Sequence, residues 1–295
     1  MEKQKTSWKE KCKLKNGLLK EGLAECFGTF ILILFGCSSN AQTVLSRGVN
    51  GNIITSSVGF SFGITIAAYA TIGVSGAHLN PAISLSMCVL GQLQWLKFPI
   101  YCIAQFVGAF VGSAAVFGLY YDAFMAFDGG NLTITGENAT AQIFSSYPSP
   151  HLSFVNGFAD QIVGTAALLF SVLAILDSKN DRVPKGLEPV VIGIIILVLG
   201  CSMSFNCGGS INPARDLGPR LFTAVAGWGL EVFSFRDGWW WVPVLAPMIG
   251  GVVGTSFYLL IIELHHKESV TEQCAIEPQQ SPKKNYELVA IKGNI

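Results

Sequence analysis

Charged residues in this chain are distributed so that long apolar intervals remain between them. No Asp, Glu, Lys or Arg lies between Gly48 and Ala77, and none lies between Pro189 and Ala214. Mostly apolar runs of about 18 residues or more are long enough to cross a hydrocarbon core. On that basis the pattern predicts six spans, at about 20–42, 53–73, 97–120, 156–176, 188–207 and 240–262. Two further apolar segments, 80–90 and 212–224, are too short to cross, so each must dip in and return. Both open on a helix start. SGAHLNPAIS at 75–84 and GGSINPARDL at 209–218 each place an Asn (Asn80, Asn212) where an N-cap belongs and a Pro (Pro81, Pro213) at the first helical position. Ala82 and Ala214 complete the two triplets. Capped loops at membrane depth are expected only where they line a cavity.

The two halves repeat. Gly108 and Gly112 in AQFVGAFVG have counterparts in Gly250 and Gly254 of APMIGGVVG, and GLAE at 22–25 resembles GFAD at 157–160. Small residues four apart permit close helix approach in lipid. The chain therefore divides into repeats 20–145 and 155–265 of one channel domain, 20–265, with a basic tail at 1–19 and a polar tail at 266–295. Each repeat holds three full spans, an odd number, so the second enters the membrane upside down relative to the first.

Orientation follows from the cations. Seven lysines in the first twenty residues, with Lys97, Lys179, Arg182 and Lys185 in later loops, place both termini in the cytoplasm. The apolar run behind the basic tail lacks a small-residue cleavage pattern and reads as an uncleaved first span. The 121–155 loop, with Asp122, Asp128 and Glu137 and no Lys or Arg, is then extracellular. Its sequons at Asn131 and Asn138 are candidate glycosylation sites, which would make the protein a glycoprotein. Trp239–Trp241 fits either an interfacial aromatic belt or stacking in the core.

Inverted repeats bring the two short helices in from opposite faces, so that their N-termini meet near mid-depth. Each N-terminus behaves as about half a positive charge. The Asn carbonyls cap the helices and their amides point N–H groups into the lumen. A passing water or alcohol oxygen accepts from them, which breaks a proton wire, while cations meet a repelling field.

With 51% hydrophobic and 13% charged residues and zero net charge, nothing draws the chain to nucleic acid. Its eight cysteines show neither metal-ligand spacing nor a disulfide framework, and Cys207 is expected near the pore. There is no nucleophile–base pair, metal cluster or phosphate loop, so the expectation is neither an enzyme nor a cofactor protein.

Two NPA boxes in inverted halves, the second extended to NPARD, resemble the major intrinsic protein family, in its aquaglyceroporin branch, over about residues 20–265. The resemblance implies an all-α membrane protein with six transmembrane helices and two re-entrant half-helices, an aquaporin-like right-handed bundle. It also implies a plasma-membrane homotetramer with one pore per subunit. Water, glycerol and other small neutral solutes, urea and polyols among them, would pass by diffusion while protons and ions are excluded. The family's filter positions fall on Phe60, Gly200, Gly209 and Arg215, and Asp216 and Arg220 are marks of the glycerol branch. Gly200 stands where water-selective members carry His, which widens the opening, and Gly209 replaces a second aromatic. Glu25 and Asp160 are read as matched buried carboxylates that brace the re-entrant backbone, with a proton relay as the rival. Asp160, one methylene shorter, predicts a different hold on the second loop. His78 is either a packing residue or a pH gate, whereas His151, His265 and His266 read as surface residues. A strictly water-selective channel and an ion-coupled secondary transporter are the competing functions.

Overall fold

The computed structural model describes Trp8 and residues 13–266, except Arg182 and Lys185. Most of both expected tails lies outside these residues. The described chain is helical throughout, without a strand: α1 Gly17–Leu45, α2 Ile53–Ser75, α3 Pro81–Val89, α4 Phe98–Leu119, α5 Tyr121–Phe127, α6 Phe154–Leu176, α7 Glu188–Met203, α8 Pro213–Thr223, α9 Glu231–Gly238 and α10 Val242–Ile261. The six expected spans are α1, α2, α4, α6, α7 and α10, and the half-helices are α3 and α8. The fifth span is shorter than its apolar run predicts. It stops at Met203 after 16 residues; the chain turns at 205–207 and then passes through Gly208 and Gly209, whose φ values of 77° and 57° keep the helix from resuming.

Packing repeats as the sequence does. Helix α1 lies against α2 and α4, α6 lies against α7 and α10, and α2 meets α7 across the centre. Each half-helix also packs on the last span of the other half, α3 on α10 and α8 on α4. The predicted glycines sit at the tightest crossings. A methyl group at Gly108 would collide with the Cys26 carbonyl of α1, and one at Gly250 or Gly254 with the Ile162 or Ala166 carbonyl of α6. At Gly112 it would lie 2.9 Å from the Phe30 carbonyl oxygen.

The 121–155 segment is more than a loop. It carries α5 and a helical turn at Ala141–Ile143, and it folds back over the bundle. Phe124 and Phe144 are buried against Phe222 and Trp228, so its apolar side chains form a plug rather than a solvated strap. Trp239 is buried as well, its ring filling the space beside Gly157, so this indole stacks in the core, while Trp240 and Trp241 are half-buried.

Candidate functional site

The two half-helix tips are joined by a reciprocal lock. Asn80 Oδ1 accepts from Ala82 N at 2.8 Å and Asn212 Oδ1 from Ala214 N at 3.0 Å, so both asparagines cap as expected. Their amides do more than face a lumen. Asn80 Nδ2 donates to the Ile211 carbonyl at 3.0 Å, and Asn212 Nδ2 donates to the Leu79 carbonyl at 2.9 Å. One N–H of each amide therefore ties its half-helix to the other repeat, and the second remains for the cavity.

The carbonyls reach across because Leu79 and Ile211, each directly before an Asn, adopt left-handed backbone with φ of 53° and 37°. Such conformations cost about 1–3 kcal/mol apiece in non-glycine residues and persist only where neighbours hold them. Glu25, with no exposed surface, accepts from Leu79 N at 2.7 Å, His78 N at 2.9 Å, Ser75 Oγ at 2.6 Å and Gln105 Nε2 at 2.8 Å. In the second half the brace is Gln161, whose Oε1 accepts from Ile211 N at 3.1 Å.

This corrects the expected pairing of Glu25 with Asp160. The structural partner of Glu25 is Gln161. Each is followed three residues later by a glycine (Gly28, Gly164) that leaves room for the Leu79 or Ile211 side chain. Each is also followed four residues later by a threonine whose hydroxyl bonds back to its carbonyl. The signal was present as ECFGT at 25–29 and QIVGT at 161–165. Asp160 aligns instead with Ala24. It is partly exposed, and it accepts from Asn206 Nδ2 at 2.7 Å, Cys207 Sγ at 3.0 Å and Gln161 Nε2 at 3.3 Å, with no backbone N–H among these donors. Cys207 is buried beside it, behind the cavity wall.

A cavity of about 340 Å³ runs past these tips, its wall including Phe60, Asn80, Gly200, Gly209, Asn212 and Arg215. The four residues expected to form the filter therefore share one space. The Arg215 guanidinium lies 4.4 Å from the Phe60 ring centre, and its Nη1 donates to the Phe144 carbonyl at 2.6 Å. On the same wall Gly200 packs on Ser57, where a methyl group would lie 2.7 Å from the hydroxyl oxygen, and a methyl at Gly209 would lie in ordinary contact with Ser204, 3.4 Å from its Cβ.

Residues the sequence did not single out complete the wall. Gln142, Ser145, Ser146 and Tyr147 enter from the folded-back segment. Asp216 and Arg220 hold that segment in place. Asp216 Oδ2 accepts from Ser146 N at 2.7 Å, Arg220 pairs with Asp216 at 2.9 Å, and the Arg220 guanidinium stacks 4.6 Å from the Tyr147 ring centre.

His78 is not on the wall. Its Nδ1 lies 3.1 Å from Ser84 Oγ and its ring 5.1 Å from that of Tyr101. Exposed His151 stacks on Phe205. His266 is not the surface residue expected: its Nε2 lies 2.7 Å from Asp177, which also accepts from Tyr258 OH at 2.7 Å. Asn131 is exposed, whereas Asn138 is bound on both sides, donating to Asp128 at 2.9 Å and accepting from Arg47 at 3.0 Å.

The chain is 53% identical to human Aquaporin-9 over 285 residues, covering 97% of this chain and 96% of the relative. It is 54% identical to human Aquaporin-10 over 256 residues, covering 87% and 85%. Among solved structures, the X-ray structure of the aquaglyceroporin from Plasmodium falciparum superposes with a TM-score of 0.75 at 29% identity, covering 83% of this chain and 97% of that one. The family profile described as Major intrinsic protein matches residues 12–258, and the chain belongs to that family.

Proposed function

We infer that this protein is a multi-pass membrane channel that passes water and glycerol-type solutes by diffusion. The observation that carries this reading is the shared cavity, whose wall brings together the Arg215 guanidinium over the Phe60 ring with the side-chain-free positions Gly200 and Gly209. A polyol fits such a passage with its carbon edge on Phe60 and its hydroxyls on Arg215, which has N–H groups beyond the one given to Phe144. Further in, the remaining N–H groups of Asn80 and Asn212 offer donors to a solute oxygen. That oxygen's own hydrogens then point away along the passage, and a continuous proton wire is interrupted. The two half-helix N-termini add a field that repels cations.

Several finer points rest on the resemblance and on charge placement. These are a homotetramer with one pore per subunit, residence in the plasma membrane with both termini cytoplasmic, and passage of urea and other small polyols. His78 enters this reading as a packing residue, its backbone N–H bonded to Glu25 and its imidazole set against Ser84 and Tyr101. Swelling of proteoliposomes in glycerol, urea and water gradients tests the function. Water flux without glycerol flux supports the water-selective alternative, and Na⁺- or H⁺-dependent, saturable uptake supports a coupled transporter.

A further inference from the structure

One acid on the cavity wall accepts from no backbone N–H of either half-helix tip and touches the lock only through Gln161 Nε2, at 3.3 Å. Asp160 has no acidic counterpart in the first repeat, where Ala24 occupies its place, and Gln161 has taken over the backbone brace. It is nonetheless on the wall of the same cavity as Arg215, Asn80 and Asn212, and it is the one carboxylate residue there among the described residues. Its three hydrogen-bond donors, Asn206, Cys207 and Gln161, are all neutral. No cation pairs with it among the ion pairs of the described residues.

The other charges near the passage are accounted for differently. Asp216 is fully buried and neutralised by Arg220 at 2.9 Å, and Glu25 is sealed behind the α3 tip, off the wall. What faces the cavity is therefore Arg215, the electropositive ends of α3 and α8, and Asp160. Without Asp160 the one charged side chain left on this wall, among the described residues, is that of Arg215. Such a passage repels cations but draws in small anions.

We propose that Asp160 sets the charge selectivity of this pore, its carboxylate offsetting Arg215 and the half-helix ends so that small anions are excluded along with cations. The inference rests on the channel reading above. A unit charge about 8 Å from a passing ion changes its occupancy by roughly two- to thirtyfold between the water and protein-surface dielectric limits.

The test compares nitrate with glycerol in proteoliposomes containing the purified full chain, under an imposed membrane potential. In Asp160→Asn the nitrate-to-glycerol flux ratio rises at least threefold, and in Asp160→Glu it stays near that of the unaltered protein. Asp160→Ser, which keeps an oxygen for Asn206 and Cys207, gives the same rise by a second route. An unchanged ratio in either neutral variant overturns the assignment, and so does an equal rise in Asp160→Glu, which would indicate loosened packing instead of lost charge. If the unaltered protein passes no glycerol, the channel reading itself falls, an outcome distinct from a flat ratio in a conducting protein.

Discussion

Replacing Gln161 by Leu isolates the brace of the second half-helix. Both side chains have similar bulk, and Gln161 is almost completely buried, so the change removes an acceptor without opening a large void. The Ile211 N–H, bonded to Gln161 Oε1 at 3.1 Å, is left unpaired in a buried position. An orphaned buried donor costs about 1–3 kcal/mol. The backbone can escape that cost by leaving its left-handed conformation, which itself stores about 1–3 kcal/mol. Rotation of Ile211, however, carries away the carbonyl that accepts from Asn80, so damage begun in one repeat reaches the tip of the other. Glycerol flux per channel, normalised to protein in the membrane, is expected to fall at least fivefold, and the melting temperature to drop by several degrees. Glu25→Leu should be worse, because it orphans two backbone donors, His78 N and Leu79 N. Asp160→Asn should leave the melting temperature closest to that of the unaltered protein, since it takes no backbone donor away. Stopped-flow glycerol uptake and thermal unfolding in detergent read both quantities. Normal flux and stability in Gln161→Leu, or greater destabilisation from Asp160→Asn, would refute the reasoning.

Gly250→Ala should lower stability by about 1–3 kcal/mol or abolish folding, because its methyl meets the Ile162 carbonyl of α6, whereas Gly118→Ala, with open space, should be neutral or slightly stabilising; thermal unfolding compares them. Gly209→Phe pays about 1–2 kcal/mol for a side chain at φ of 57° but meets little else, so it should fold and reduce larger-polyol flux more than water flux in swelling assays. Expression in a glycosylating cell should give a gel shift that Asn131→Gln removes and Asn138→Gln does not, since Asn138 is engaged by Asp128 and Arg47 and the Thr140 hydroxyl accepts from buried Trp228. Burial alone would raise the Asp177 pKa, but donation from Tyr258, Lys179 N and His266 outweighs it and lowers it to about 2. The stabilisation it supplies is thus complete above the ordinary carboxylate range, near 4, and lost as pH falls toward 2; an acid-unfolding profile of Asp177→Asn should lack that component.

Much of this architecture could be read from residue order because its causes are local or periodic. Apolar length located the spans, Asn-Pro pairs located the half-helices, and glycines four apart located the crossings where a methyl group has no room. The filter residues were legible only through resemblance, since nothing in the composition around Phe60 or Gly200 brings them to one cavity. The folded-back segment is not legible in the sequence, for a physical reason. Its polar and acidic residues suggest solvent, yet its packing is decided by Phe124, Ile143 and Phe144 meeting Phe222 and Trp228, partners far away in the chain. At Asp160, residue type and register point in different directions. An acid in GFAD looked like the match to the acid in GLAE, while the glycine–threonine pairs at 28–29 and 164–165 set the alignment one residue further on.

That one-residue difference bears on how an inverted repeat can acquire asymmetric chemistry. The bracing position must present an oxygen to a buried N–H, and Glu and Gln both do so with the same reach. Gln does it without a charge, which spares the second half the cost of burying a carboxylate without a cation partner. Asp160 then holds no backbone N–H of the central lock, meeting it only through Gln161 Nε2, and opens partly to the cavity, where water lowers the cost of its charge. Helical spacing makes this arrangement available: neighbouring positions on α6 lie about 100° apart, so Gln161 reaches the half-helix tip while Asp160 is directed elsewhere, toward Asn206 and Cys207, on the same cavity wall. The first repeat has Ala24 at the equivalent point and keeps its acid sealed. Two halves that share a backbone plan thus differ in where they put negative charge, with one behind a helix tip and the other on the wall of the passage.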